Sequence, residues 1–241
     1  MGNWSMKIAE PPEVKTIMAV AAHPDDIESW CAGTLARSIK WGASVRLLLV
    51  TSGEQGSNDP KSKRETVGLM RERETLEAAK RLGLAEVGFL RYPDGEVEDT
   101  TKLRGELVEW IRRWRPEVLF THDPVHPLPV YLCHRDHRVV GRVALDAVYP
   151  CARDHLAFSE QIRNGLKPHA VGQVWLFASS QPDTFVDITD GFDLKVSSRL
   201  AHESQTVDPE ALRQSWRERA ARIGEEVGLP MSESFTVLTI D

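Results

Sequence analysis

Thr16-Ile17-Met18-Ala19-Val20-Ala21, continued by Ala22-His23-Pro24-Asp25-Asp26, is an unbroken apolar run that ends in one imidazole and two carboxylates. A short run with no polar alternation reads as a strand covered on both faces, the kind found in parallel sheets. The polar residues at its exit then belong to a loop, where chemistry is carried. A second polar knot, His134-Arg135-Asp136-His137, lies beyond another apolar run, Val118-Leu119-Phe120. Together the two knots can supply two histidines and a carboxylate to one metal ion, with coordination positions left open for catalysis.

Working outward from the first strand, apolar runs alternate with amphipathic stretches. The pattern predicts strands over 16–22, 44–51, 87–92 and 117–122 and helices over 29–41, 64–82, 101–114 and about 136–148, with Pro116 ending the third helix. Regular β-α alternation with Val/Leu/Ile-rich strands implies a mainly parallel sheet covered by right-handed crossovers, a Rossmann-like α/β three-layer sandwich. Beyond Tyr149-Pro150 the pattern loosens into strands near 171–178 and 185–188 and helices over 192–204 and 209–227. No linker or repeat interrupts it, so a single domain over 1–241 is expected, with its core at about 15–205 and a helical extension at about 206–241.

Composition excludes several classes of partner. With 241 residues, 41% hydrophobic and 27% charged, the chain is long enough for a sizeable core, and a net charge of -6 without a Lys/Arg block offers nothing to nucleic acid or anionic lipid. No apolar run nears the ~20 residues of a membrane span, and Met1 to Met6 lacks a signal-like apolar region, so a cytoplasmic location is expected. Cys31, Cys133 and Cys151 are odd in number and lack C-x-x-C spacing, which argues against a disulfide framework or a structural zinc site. They read as reduced core residues, and Cys133 is disfavoured as an extra ligand beside His134.

In open α/β sheets, ligands bind beyond the carboxyl ends of the parallel strands. The post-strand segments are His23 to Asp26, Thr51 to Glu54, Tyr92 to Gly95, and the loop from His122 to His137. All carry His, Asp or Glu, and all leave on the same edge. The first turn lacks G-x-G-x-x-G and no G-x-x-x-x-G-K-[ST] occurs elsewhere, which disfavours dinucleotide and P-loop chemistry. His23 and Asp26, three residues apart in a tight turn, can share a zinc ion with His137, which leaves Asp25 free to take a proton. The plainer alternative is that both aspartates cap the following helix.

The motifs resemble those of the LmbE-like or PIG-L-like zinc-dependent N-acetylglucosaminyl deacetylases. The resemblance rests on Ala22-His23-Pro24-Asp25-Asp26 with Glu28, Gly33-Thr34, Thr51-Ser52-Gly53-Glu54, Arg71-x-x-Glu74 with Leu82-Gly83, Tyr92-x-Asp94 and His134-x-Asp136-His137, over residues 15 to 205 or so. It implies that His23, Asp26 and His137 ligate Zn2+ or a similar ion such as Fe2+, that Asp25 is the general base, and that His134 stabilises the oxyanion or protonates the leaving amine. It further implies that Asp136 orients or charge-tunes His134, that Arg71 and Asp94 contact the sugar, and that Glu54 lies near the site. The implied substrate is an N-acylated amino sugar, and a homo-oligomer is compatible with the family. Where the family's second motif commonly has proline, this chain has Arg135, which removes a fixed φ and sets a cation at the mouth of the site.

Two other readings use the same residues. A non-haem Fe(II) oxygenase also employs two histidines and a carboxylate, although it usually sits on a β-rich jelly roll. A non-catalytic sugar-binding module would need neither Asp25 nor His134. Among the remaining polar residues, His155, His169 and His202 read as surface or locally hydrogen-bonded. Trp110 and Trp114 read as core, and Arg71-Glu72-Arg73-Glu74 reads as a solvated helix face apart from Arg71. The loop 122–133, with Pro124, Pro127 and Pro129, reads as a lid or an interface.

Overall fold

The computed structural model describes residues 6–125 and 134–240. The strands are β1 (Lys7–Ile8), β2 (Thr16–Ala21), β3 (Ser44–Thr51), β4 (Glu86–Tyr92), β5 (Val118–His122), β6 (Gln173–Phe177), β7 (Thr184–Asp187) and β8 (Ser232–Thr239). The helices are α1 (Asp26–Trp30), α2 (Ala32–Lys40), α3 (Arg64–Leu82), α4 (Thr101–Trp114), α5 (Arg135–Asp146), α6 (Ser159–Arg163), α7 (Phe192–Arg199) and α8 (Pro209–Glu225). Among the described residues the strands form one eight-stranded sheet in the order β1-β7-β8-β6-β5-β2-β3-β4. Only β8 is antiparallel, to both β6 and β7. No helix of the described residues is long and apolar enough to cross a membrane.

Both faces of the central strand are buried, as its apolar sequence requires. Met18, Val20 and Ala22 pack with Leu107 and Ile111 of α4 and Val140 of α5, while Ile17, Ala19 and Ala21 pack on the other face with Ile27 of α1 and Leu35 of α2. The resulting three layers are those expected from the alternation. The Trp110 and Trp114 rings meet at a tilt, with centroids 4.6 Å apart, against the α4 side of the core.

Two departures from the sequence expectation concern local geometry. The predicted helix over 29–41 is broken into α1 and α2 at Cys31, whose φ of -140° is not helical, and α1 begins earlier, at Asp26. The region 206–241 is not a helical extension, because α8 is followed by β8, which inserts between β6 and β7. Glu233 on β8 is 4% exposed and accepts the amides of Gly33 and Thr34 at 3.0 and 2.8 Å, while Lys195 of α7 donates to it at 2.6 Å. This carboxylate caps the start of α2, where the orphan amides and the helix dipole favour negative charge. The last strand is thereby tied to the helix that follows the first polar knot.

Candidate active site

The ends of β2, β3, β4 and β5 open on one edge of the sheet, and the loops leaving them are bound to each other. Thr51 donates its amide and its hydroxyl to the Ala22 carbonyl at 2.9 and 2.8 Å, joining the first two loops. Asp94 joins the third, its carboxylate accepting the Gln55 amide at 3.0 Å and its own amide donating to Glu54 Oε1 at 2.7 Å. The fully buried Asp136 carboxylate accepts the Gly95 and Val97 amides at 2.7 and 3.3 Å and so brings in the start of α5. Gly141, one turn beyond His137, packs against the His122 carbonyl where a Cβ would collide, which lets α5 lie directly on the end of β5.

This framework converges the two polar knots. His23 Nδ1 lies 3.1 Å from His137 Nε2, Asp26 Oδ1 lies 3.2 Å from His137 Nε2, and Asp26 Oδ2 lies 3.6 Å from His23 Nδ1. Four donors held at 2.0–2.1 Å around a tetrahedral zinc ion stand about 3.3 Å from one another, close to the spacing of the two ring nitrogens and to that of Asp26 Oδ1 from His137, with Asp26 Oδ2 the oxygen nearer His23. Two ring nitrogens this close, both facing a carboxylate, are a donor set suited to a divalent cation. On its other edge His23 Nε2 meets Asp94 Oδ1 at 3.0 Å and Asp136 Oδ2 at 3.4 Å. Burial disfavours the charged His23 ring, but its hydrogen bonds to these carboxylates and to Asp26 outweigh that and raise its pKa well above the ordinary histidine value.

Asp25 is held in the left-handed region, with φ of 80°, and caps α1 without a side-chain hydrogen bond to it. The plain capping reading therefore does not describe this carboxylate. Its Oδ2 stands 3.8 Å from Arg71 Nη2 and 3.6 Å from Arg199 Nη2. Burial pushes the Asp25 carboxyl up, and the two guanidinium groups only partly offset it.

Exposed His134 caps α5, its Nδ1 accepting the Asp136 amide at 3.2 Å. That contact places the proton of the neutral ring on Nε2. Burial of part of the ring, with His23 and His137 nearby, lowers its pKa. The His134 ring meets the His23 ring edge-on, with centroids 4.7 Å apart.

Several roles implied by the resemblance look different in place. Arg71 is 5% exposed and gives its guanidinium to the Gly53 and Pro24 carbonyls, both at 2.8 Å, so it clasps two site loops together from beneath. Gly53, with φ of 64°, is required there, since a Cβ would collide with that guanidinium. Asp94 and Asp136 face His23 more than open space, and Asp136 reaches His134 through its backbone amide. Glu54 holds the Asp94 amide. Arg135 is nearly half exposed and reaches the Gly95 carbonyl at 3.3 Å. Glu72 is buried, accepting from Ser52 at 2.6 Å and from Arg91, so the solvated-face reading fails there, while Arg71, which it left out, is buried as well.

His202 overturns the surface reading: it is fully buried, both ring nitrogens lack a hydrogen-bond partner, and its Nε2 is 3.7 Å from Glu28 Oε2. His155 is exposed, and His169 is half-buried with Nε2 2.7 Å from the Pro116 carbonyl. Arg199 and His122 are site neighbours that the sequence does not single out. His122 is 1% exposed, with Nε2 3.2 Å from Asp26 Oδ2, and burial lowers its pKa to about 4, so it is neutral. Position alone, at the end of β5, could have flagged it. Cys31 is buried, whereas Cys133 and most of the loop read as a lid lie outside the described residues.

Residues 18–148 match the family model described as PIG-L, GlcNAc-PI de-N-acetylase. The chain belongs to the PIG-L family. A diacetylchitobiose deacetylase of Thermococcus kodakarensis is 33% identical over 217 residues, covering 90% of this chain and 79% of that one. Among solved structures, the N,N'-diacetylchitobiose deacetylase from Pyrococcus horikoshii in complex with its inhibitor MPG superposes with a TM-score of 0.86 at 28% identity, over 93% of this chain and 84% of that one. The conserved protein TT1542 from Thermus thermophilus follows with a TM-score of 0.76 at 31% identity, over 95% and 97% of the two chains. PIG-L membership and the mainly parallel three-layer fold leave no support for a jelly-roll oxygenase or a non-catalytic module.

Proposed function

We propose that this PIG-L family chain is a metal-dependent N-deacetylase that hydrolyses the acetamide of an N-acylated amino sugar to acetate and a free amine. The observation that carries this reading is the convergence of His23 Nδ1, the Asp26 carboxylate and His137 Nε2 at 3.1 to 3.6 Å, with the adjacent Asp25 carboxylate making no helix-cap hydrogen bond. The names of the relatives support the substrate class. His23, Asp26 and His137 would hold the ion, and zinc suits this nitrogen and oxygen set. Such an ion supplies Lewis-acid polarisation of the amide carbonyl and acidifies water at the site.

The chain's own residues do the rest. Asp25, uncommitted to any helix cap, accepts the proton of the attacking water at its carboxylate. Burial makes this carboxylate a stronger base than an exposed one, and Arg71 and Arg199 partly offset that rise. His134, with its proton on Nε2, donates a hydrogen bond to the oxygen that gains negative charge as the carbonyl is attacked. The proton taken by Asp25 goes to the amine nitrogen as the carbon–nitrogen bond breaks, so water is consumed and acetate and amine leave. Screening the zinc-loaded protein against N-acetylated mono- and disaccharide amino sugars for released primary amine tests the reading. Turnover of at least one is expected, and none across the panel by fully metallated protein would overturn it.

A further inference from the structure

Asp25 draws no support from its own helix. Its φ of 80° carries it away from α1, to which it makes no side-chain hydrogen bond. Two cations lie against it instead, and both approach the same oxygen: Oδ2 is 3.8 Å from Arg71 Nη2 and 3.6 Å from Arg199 Nη2. These distances exceed a direct hydrogen bond, so the hold is one of charge, which burial protects from screening.

Arg199 reaches this place from the last turn of α7, far in sequence from both polar knots, and is 8% exposed. Its guanidinium is seated in the turn that follows. Nη1 donates to Thr206 Oγ1 at 2.9 Å and to the His202 carbonyl at 3.4 Å, and Nη2 donates to the Gln205 carbonyl at 3.0 Å. That turn is anchored in its own right. Ser204 donates its amide and its hydroxyl to Glu74 of α3, each at 2.7 Å, and Gln205 Nε2 donates to the Gly56 carbonyl at 2.8 Å. All the hydrogen-bond acceptors of Arg199 are neutral, and among the described residues Asp25 is the only carboxylate paired with it. The same holds for Arg71, whose acceptors are the Gly53 and Pro24 carbonyls. Two buried guanidinium groups thus share one counter-charge, and leaving either without it is costly.

We propose that Arg199 is a positioning residue for Asp25: with Arg71 it fixes the rotamer and plane of the carboxylate by holding Oδ2, which leaves Oδ1 to face the attacking water. Arg71 holds from the first two site loops and Arg199 from α7. Turning the carboxylate away separates it from both charges at once. This inference rests on the reading of Asp25 as the proton acceptor given above.

Two variants separate the charge from the seat. Arg199→Gln keeps a donor for the 202–206 turn and loses the charge, while Arg199→Lys keeps the charge and loses the fork. Crystal structures of the zinc-loaded variants read the place of the Asp25 carboxylate, chelator competition reads zinc affinity, and kcat and KM are measured on the best amide of the panel. In Arg199→Gln the carboxylate is expected to turn or to spread over more than one rotamer, with kcat about 10–100-fold lower and KM and zinc affinity within about threefold of wild type. Arg199→Lys is expected to keep the carboxylate in place and to recover kcat to within about tenfold. An unmoved carboxylate in Arg199→Gln would overturn the proposal, as would a raised KM at unchanged kcat. Equal losses of kcat in both variants also overturn it, because they mark a guanidinium needed only to brace the turn. Should Arg199→Gln fail to fold, Arg199→Lys decides: a displaced carboxylate, or a loss of kcat beyond about tenfold, overturns the proposal. The crystal structures need no substrate, so inactivity across the panel bears on the proposed function, while the place of Asp25 still decides this inference.

Discussion

Asp94 Oδ1 stands 3.0 Å from His23 Nε2, on the ring edge opposite the one that faces Asp26 and His137. A carboxylate behind a ligating imidazole fixes its orientation and raises its basicity. Asp94→Ala is therefore expected to weaken zinc binding about 10–100-fold, measured by chelator competition. An unchanged zinc affinity with a raised KM would return Asp94 to the sugar-contacting role that the sequence resemblance implies.

Asp25 makes no ligand-distance contact with the His23–His137 pair, so its loss should separate chemistry from metal binding. Asp25→Asn is expected to keep zinc affinity within a few-fold and to lose on the order of 10²–10⁴ in kcat. Near-wild-type turnover in that variant removes the proton-accepting role from Asp25.

Arg71 joins the Gly53 and Pro24 carbonyls from below the site. Hydrogen bonds from a charged donor contribute about 1.5–3 kcal/mol each, so Arg71→Met is expected to lower unfolding free energy by about 3 kcal/mol and to reduce kcat/KM as both loops loosen. Denaturant unfolding measures the first effect. A variant of wild-type stability with only KM raised would show that the guanidinium serves the substrate after all.

His169 offers a pH test away from the metal centre. Burial lowers its pKa, and the Pro116 carbonyl that it faces at 2.7 Å works against this without overturning it. A folded-state pKa below the unfolded value near 6.5 means that the unfolded chain binds the proton more tightly. The stabilising contribution is thus present above about pH 6.5 and is lost as pH falls through the lowered folded value. Thermal midpoints of His169→Gln and wild type, measured from pH 7.5 to 5, should converge as the pH falls, and parallel curves would refute the assignment.

The elements that position the site were legible because each has one dominant signal. The runs at β2 and β3 are apolar apart from Thr16, Ser44, Arg46 and Thr51, α4 keeps a helical period over 14 residues, and α3 runs 19 residues without a proline. The convergence of His23, Asp26 and His137 was legible for a related reason, since a histidine followed within three residues by two aspartates has little use in a core. What escaped are polar side chains whose partners lie far off in sequence. His122 is buried against Asp26, His202 against Glu28, and Glu233 against α2, and apart from the place of His122 at the end of β5 nothing local distinguishes them from exposed residues. Strand β8 escaped because Ser232, Glu233 and Ser234 open it, and polar residues in a row read as loop. The resemblance gives Arg71 to the sugar, and its sequence neighbours give no sign that two backbone carbonyls take up its guanidinium.

The place of β8 between β6 and β7 also sets an order of events during synthesis. As the chain leaves the ribosome, β6 and β7 emerge well before β8, so the nascent sheet has two unpaired inner edges while α8 is being made. Exposed edges of this kind invite pairing with other chains, and the long sequence separation makes the closing step slow. Until residues 232–239 arrive, the amides of Gly33 and Thr34 also lack the Glu233 carboxylate that caps α2. Ordering of the helices that follow the first polar knot is thus coupled to the arrival of β8, and the intermediate that lacks this strand is the species that chaperones would meet.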